Sequence, residues 1–414
     1  MAHDNKMQFQ VPSKAKTVSM ALMAIGILAA GLGWVADKTD HHQYWWANLL
    51  INSFFYLALG MGALFFYALQ YAAEVAWSAQ LKRIFEAMFS YVKIGFPIIL
   101  VVILLGQLHV HHLYHWMDSS VYDPANANYD KVIAGKHAYF NIPFFWGRAL
   151  AYAAVFIFFA NYFRKWSLKE DETGGTDIHY LMYRKSAVFL LFFGVFSSTM
   201  SWDWLMSIDT HWYSTMYGWY IFSGMWVTTM TFATLLVIWL KGQGYLSSLN
   251  DSHIHDMGKW MFAISMLWSY LWFCQYMLIW YSDIPEEVTY FKERYDHYMT
   301  GMWAIFAVNF AVPFYVLIAR DAKRNMKFLT RVGIIIFISH FFDLYMAVIP
   351  GTVHGHLLWG FGEGHHITFS WWFEIGMFLG FLGLFINIVL GTLSKARLVP
   401  AKHPFLDESE HHSI

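Results

Sequence analysis

The sequence predicts an all-α membrane protein with ten transmembrane helices, and three observations predict it. Hydrophobic residues make up 58% of the 414-residue chain and charged residues only 13%, where a soluble domain carries about a quarter charged. Runs of about 20 apolar residues, the length that crosses a roughly 30 Å hydrocarbon core, occur ten times. Lysine and arginine, finally, concentrate in alternate connections between those runs.

In chain order the runs are 17–36, 47–71, 91–110, 142–163, 186–206, 216–240, 259–281, 299–319, 332–350 and 370–393. The first is expected to be retained as a helix, because no small-x-small cleavage site lies near Trp34, Val35 and Ala36. Lys6, Lys14 and Lys16 precede it, and alternate connections carry Lys82 and Arg83; Arg164, Lys165, Lys169, Arg184 and Lys185; Lys241 and Lys259; and Arg320, Lys323, Arg324, Lys327 and Arg331. With Lys395, Arg397 and Lys402 in the C-terminal tail this set holds 20 basic residues. The opposite set holds 5, Lys38, Lys131, Lys136, Lys292 and Arg294. Cytoplasmic loops retain the excess, so both termini are expected in the cytoplasm and the number of spans should be even.

Spans two to five and six to nine read as two four-helix bundles flanked by spans one and ten. Four crossings restore direction, so equivalent helices of a repeat point the same way across the membrane. The predicted segments are a tail over 1–16, the first span and outer loop over 17–44, bundles over 45–206 and 207–350, an outer loop and tenth span over 351–393, and a tail over 394–414. Helix three should run from near Lys93 to Asp118 and helix seven from near Lys259 to Asp283, separations of 25 and 24 residues. In the tenth span, Gly376-x-x-x-Gly380 is a close-packing signature.

Helices five and nine repeat one frame, aromatic-Asp-x-x-Met, at Trp202-Asp203-Trp204-Leu205-Met206 and Phe342-Asp343-Leu344-Tyr345-Met346. A carboxylate at a span centre costs roughly 2.5 to 3.5 kcal/mol on insertion scales, so such a group usually has a task. His340 shares a helical face with Asp343; Glu374 enters helix ten one turn in, Arg148 starts helix four, and Lys93 sits at the cytoplasmic end of helix three. These six, Asp203, His340, Asp343, Glu374, Lys93 and Arg148, are candidates for a proton pathway. In the plainer reading Lys93 snorkels, Arg148 pairs with a loop carboxylate and Asp203 sits at the interface.

The outer connections are acidic, aromatic and rich in histidine, among them the 111–141 loop with His111, His112 and His115, and the glycine-rich 351–366 loop. His109 and His112 would lie one helical turn apart at the end of helix three, placed to hydrogen-bond in the outer polar layer or to meet a quinone carbonyl. A haem b would need histidines paired across facing helices at matching depth, and no such pairing is legible. His354, His356, His365 and His366 lack metal-ligand spacing on a regular element, so no metal site is expected. The one cysteine, Cys274, excludes disulfides, iron–sulfur ligation and covalent c-type haem within the chain.

The segment Ser201-Trp-Asp-Trp-Leu-Met-Ser-Ile-Asp-Thr-His-Trp-Tyr-Ser-Thr-Met-Tyr-Gly218, with the ten-span layout, resembles the polysulfide-reductase-type (NrfD-like) membrane subunits of bacterial alternative complex III, and is similar to the smaller of that complex's two. The resemblance covers essentially the whole chain. It implies a subunit of a quinol:electron-acceptor oxidoreductase in the bacterial cytoplasmic membrane. The implied partners are a paralogous membrane subunit, an iron–sulfur subunit, cytochrome c subunits and a terminal oxidase; the iron–sulfur clusters and haem c would sit on those partners. The larger paralogue's quinol site uses a histidine and an aspartate, for which His109, His112 and Asp203 are the candidates in this chain. For the smaller one the resemblance implies a vestigial quinone pocket, with the chain a scaffold and proton pathway. No nucleic-acid partner is expected. Two other classes fit a repeated bundle with buried charge: a secondary ion or solute carrier, which predicts interrupted helices at matching places in both halves, and a structural anchor for peripheral redox proteins.

Overall fold

The computed structural model describes residues 8–352 and 371–413; Lys6 and the histidines His354, His356, His365 and His366 lie outside them. Hydrocarbon offers backbone N–H and C=O groups no water, so a spanning segment must satisfy them internally, and the described chain is helical. In order the helices are α1 Ser13–Ala36, α2 Gln43–Ala72, α3 Lys82–Phe89, α4 Val92–Gln107, α5 Lys131–Gly135, α6 Ile142–Thr173, α7 Asp177–Trp204, α8 Met216–Gly242, α9 Asp251–Ser282, α10 Pro285–Leu317, α11 Arg320–Arg324, α12 Met326–Thr352, α13 Trp371–Leu393 and α14 Leu406–Glu410. Ten helical segments are long and apolar enough to cross a membrane, with α3 and α4 together forming the third.

Several helices outrun the apolar stretches that announce them. α6 and α9 have 32 residues each, about 48 Å at 1.5 Å per residue, which exceeds the hydrocarbon thickness. The extra turns are polar and have their own start signals. Asn250 caps α9 by accepting from the Ser252 and His253 amides at 2.9 and 3.3 Å in a capping box, eight residues before the predicted start. Pro285 opens α10, fourteen residues before the predicted start at 299; the apolar run begins where α10 kinks at Tyr298. Arg294, read as a loop cation, is therefore a helical residue, 2% exposed. The third span departs the other way. It breaks between α3 and α4 and ends at Gln107, so it does not reach Asp118, and His109 and His112 follow it in a loop with His109 at φ +57°.

α2 is buried along nearly its whole length and touches α1, α3, α4, α7, α8, α12 and α13. It approaches α8 most closely at Gly62, where a Cβ would stand 2.2 Å from the Thr229 hydroxyl. α2, α4, α6 and α7 pack as a ring of neighbouring pairs, and α8, α9, α10 and α12 as another. α1 lies against α13 through a stripe of small residues, Ser19, Gly26, Ala29 and Gly33. Gly376 faces Ala29 and Gly380 faces Gly26, so the glycine pair does mark a close helix contact. The two tails meet at one end, where Gln8 bridges Arg397 and Phe9 is buried against Trp239 and Tyr245.

That end is basic, yet several of its cations are not on the surface. Lys82 pairs with Glu170, Arg83 with Glu86 and Asp171, and Arg164 with Glu86, with Lys82, Arg83, Glu86 and Glu170 all buried. Lys323 donates to the carbonyls of Leu317, Ile318 and Ala319 at 2.6, 3.0 and 3.1 Å, closing the negative end of α10.

Replacing Gly380 by Ile should force α1 off α13, because a Cβ there would lie 2.5 Å from the Gly26 Cα. Overpacking of this kind costs about 1–3 kcal/mol. A lowered melting temperature in detergent, with Gly391→Ile unchanged because nothing lies within 4 Å of a Cβ at Gly391, is the expected result.

Candidate functional site

The two aspartates of the repeated frame are both buried but differently partnered. Asp203, near the end of α7, is fully enclosed. Arg148 grips it from α6 through Nε and Nη2 at 2.8 and 2.7 Å, and the Tyr152 hydroxyl, one turn along, donates at 2.8 Å. The guanidinium also lies 4.0 and 4.3 Å from the ring centroids of Tyr139 and Phe144. Arg148 thus pairs with a carboxylate on a membrane-length helix rather than in a loop.

Asp343 receives no arginine. Tyr220 of α8 donates to Oδ1 at 2.5 Å and the Trp268 indole of α9 donates to Oδ2 at 3.0 Å. His340 stands one turn back on α12 with Nδ1 3.8 Å from Asp343 Oδ2, too far to hydrogen-bond, and neither ring nitrogen has a hydrogen-bond partner among the described residues. The arginine of the second ring, Arg294, is drawn elsewhere by Pro350. A proline has no N–H, so the Met346 carbonyl loses its helical donor. Arg294 Nε fills that vacancy at 3.1 Å while Nη2 takes the Ala347 carbonyl at 3.0 Å. Its guanidinium stacks 3.2 Å from the Tyr290 centroid and lies 3.7 Å from Asp209.

Three cavities step inward from the end opposite the basic one. The outermost, about 630 Å³, is lined by His112, His115, Asp209, His211, Tyr290 and Arg294 among others. Tyr290 and Arg294 also line the second, of about 20 Å³, which reaches Tyr220, Gln275 and Asp343. Asp343 in turn borders the third, of about 30 Å³, with His340 and Thr228. Each inner cavity has room for about one water.

The 201–218 segment builds the wall of the outer cavity. Ser207 Oγ donates to the Asp203 carbonyl at 2.5 Å, Thr210 Oγ1 to the Ser207 carbonyl at 3.1 Å, and the Trp212 indole to the Glu287 carbonyl at 3.0 Å while stacking on Tyr290 at 4.0 Å. His211 and Asp130 meet at 2.5 Å, and Lys136 donates to the Thr210 carbonyl at 2.5 Å, fixing the 111–141 loop over it. Asp130 also caps α5 through the Val132 and Ile133 amides. Burial raises its carboxyl, but the Ile133 amide and His211 together hold it below the usual range.

The remaining candidates are dispersed. Lys93 is exposed at the start of α4, the position of a snorkelling lysine. Glu374 is buried and accepts from Tyr44, whose hydroxyl lies 2.8 Å from that of Tyr345 on α12. His109 is exposed and His112 half-buried, their rings 5.9 Å apart, and Asp203 is not among the residues lining the cavity that His112 borders. The structure therefore does not gather the three quinone candidates at one place, nor the six ionisable groups into one chain. Tyr220, Trp268, Tyr290 and Arg294 carry the second aspartate's surroundings, and no short-range motif announces them. No family model matches the chain, and no curated protein matches it.

Removing one partner of a buried ion pair costs about 3–5 kcal/mol, because the other charge is left uncompensated. Arg148→Met and Asp203→Leu should each lower the melting temperature strongly, and the double variant should lie nearer the parent than either. Melting curves of the four proteins check this.

His111, beyond α4, is buried with Nε2 on the Val102 carbonyl at 3.0 Å, and burial pushes its imidazole down to about 4. The unfolded chain, with an ordinary value of about 6.5, binds the proton first. Stability from the neutral ring is thus complete above about pH 6.5 and falls as pH drops toward 4, by up to about 3 kcal/mol. His111→Gln should flatten the melting temperature against pH across that window.

Proposed function

We propose that this chain is an integral membrane subunit of a respiratory quinol:electron-acceptor oxidoreductase of the alternative complex III type, and that its second ring of helices carries a proton path between the outer cavity and Asp343 with His340. The observation that carries the proposal is the stepwise sharing of lining residues: Tyr290 and Arg294 join the outer cavity to the second, and Asp343 joins the second to the third. A buried carboxylate held by two neutral donors, beside an imidazole with two unpartnered nitrogens, is suited to exchanging protons through single waters. Asp203, already neutralised by Arg148, has a structural task in this reading.

In the proposed arrangement both termini are cytoplasmic, the two rings are four-helix bundles, and the outer cavity faces the side where the partners' iron–sulfur clusters and c-type haems operate. The excess of lysine and arginine at the end where the tails meet supports that orientation. The outer cavity is within the size range of small-molecule sites, and with His112 in its wall it is the place in this chain for a quinone headgroup. The carrier reading predicts matching interruptions. Among the described residues the breaks fall between α3 and α4 and at Tyr298 of α10, that is, in the third and eighth spans, while α6 and α9 run unbroken.

The reading is tested by purifying the chain in mild detergent and identifying what comes with it. Polypeptides bearing c-type haem and iron–sulfur signals in a reduced-minus-oxidised spectrum are expected; a chain that purifies alone without redox absorbance would overturn the proposal. Within such a complex, Asp343→Asn should slow quinol oxidation or abolish its coupled proton release, and Tyr220→Phe should have a weaker effect in the same direction. Asp343→Asn with both rates unchanged would leave the chain as an anchor.

A further inference from the structure

The basic end holds a second buried cluster that the proton path does not use. Glu170 near the end of α6, His179 near the start of α7 and His403 in the C-terminal tail bring one donor atom each within 4.8 Å of one another, and all three are buried. The His179 and His403 rings stand perpendicular with centroids 5.4 Å apart, closed over by Phe405 at 4.9 Å from His179. Neither nitrogen of His179 has a hydrogen-bond partner, nor does Oε1 of Glu170; the nearest carboxylate to His179, that of Glu74, is 4.0 Å away. His403 Nδ1 accepts from the Phe405 amide at 3.2 Å, which leaves Nε2 for another partner. Buried polar atoms are nearly always satisfied, so the unsatisfied atoms of His179 and Glu170, beside His403 within 4.8 Å, indicate something bound between them.

We infer that Glu170, His179 and His403 form a site for a divalent transition-metal ion of the zinc class. Two imidazoles and a carboxylate are a donor set such ions take, with water in the fourth position. The adjoining cavity of about 20 Å³, lined by Tyr71, Ser78, Lys82, His179 and His403, has room for that water. Glu170 divides its oxygens: Oε2 receives Lys82 and, at 3.4 Å, the Tyr71 hydroxyl, and Oε1 is left for the ion. Such outer hydrogen bonds orient metal-bound carboxylates. A tetrahedral ion with bonds of about 2.0–2.1 Å sets its donors about 3.3 Å apart, so loading draws together donor atoms that lie within 4.8 Å of one another.

Charge permits the ion. Lys82, Arg83 and Arg164 pair with Glu86, Glu170 and Asp171, and Glu74, 4.0 Å from His179, adds a fourth carboxylate to the three cations. Lys82 is the group that opposes the ion. The site would fasten the C-terminal segment to the α6–α7 corner, which sequence spacing cannot reveal because His403 lies more than 200 residues from His179.

The test is the zinc content of the full-length protein, purified in mild detergent with any partners that accompany it, stripped with a chelator and dialysed against Zn²⁺. About one tightly held ion per chain is expected, lost by at least tenfold in affinity in His179→Gln and in His403→Gln. It should be kept in His253→Gln, which alters a different buried histidine at the same end, and held more tightly in Lys82→Gln. Co²⁺ in place of zinc should give the intense visible absorption of a tetrahedral site. Absence of a stoichiometric ion in the parent protein, an octahedral cobalt spectrum, or unchanged affinity in both histidine variants would overturn the inference; the parent and cobalt measurements stand even if a variant fails to fold.

Discussion

A helix with no lipid-facing side sets the arrangement of all the others. α2 is buried from Tyr44 to Tyr71 with few interruptions, its polar Asn48, Asn52 and Ser53 included, and the spans that surround it come from both halves of the chain. In hydrocarbon there is no hydrophobic drive for helices to associate, and close approach of backbones does that work instead. Gly62 against Thr229 lets α2 and α8 cross tightly, and the small stripe of α1 on α13 repeats the device at the periphery. The polar clusters occupy the space left at the two ends of this scaffold.

The chain uses one sequence frame in two chemical ways. In the first ring the aspartate is fixed by an arginine two turns inside α6 and a tyrosine on the same helix. In the second, Pro350 strips a carbonyl of its donor and the available arginine goes there, leaving Asp343 with a phenol and an indole. The difference has the energetic character of a trade. A charge pair inside a membrane is stable and unresponsive, whereas a carboxylate held by neutral donors can change its proton occupancy without breaking an ion pair.

The membrane class, the ten spans and the close-packing glycines of α13 are legible because apolar length and small-residue spacing are local properties; that α1 is the partner is not. Helix ends were less so: hydropathy registers the apolar part of a helix and is blind to polar turns such as those from Asn250 and Pro285, which is why Arg294 read as a loop residue. The break at the end of α3 and the irregular chain after Gln107 are illegible for a related reason, since neither Ser90 and Tyr91 nor Leu108 and His109 is a glycine or proline. Asp203 and Asp343 stood out from residue type alone, but their partners Arg148, Tyr220 and Trp268 come from 55, 123 and 75 residues away, and only packing decides which buried aromatic turns its donor inward. The cluster of Glu170, His179 and His403 was invisible for the same reason.

Arg294 is a side chain that belongs to one helix and completes the hydrogen bonding of another. It sits four residues to the outer side of the kink at Tyr298, on the short polar arm of α10, and its other end is lodged in the last turns of α12. That arm and those turns are riveted into one rigid piece, while the kink is the flexure behind it. Load applied to the outer arm is delivered through the rivet to the helix bearing Asp343, so the fold joins its outer rim to a buried carboxylate through one side chain.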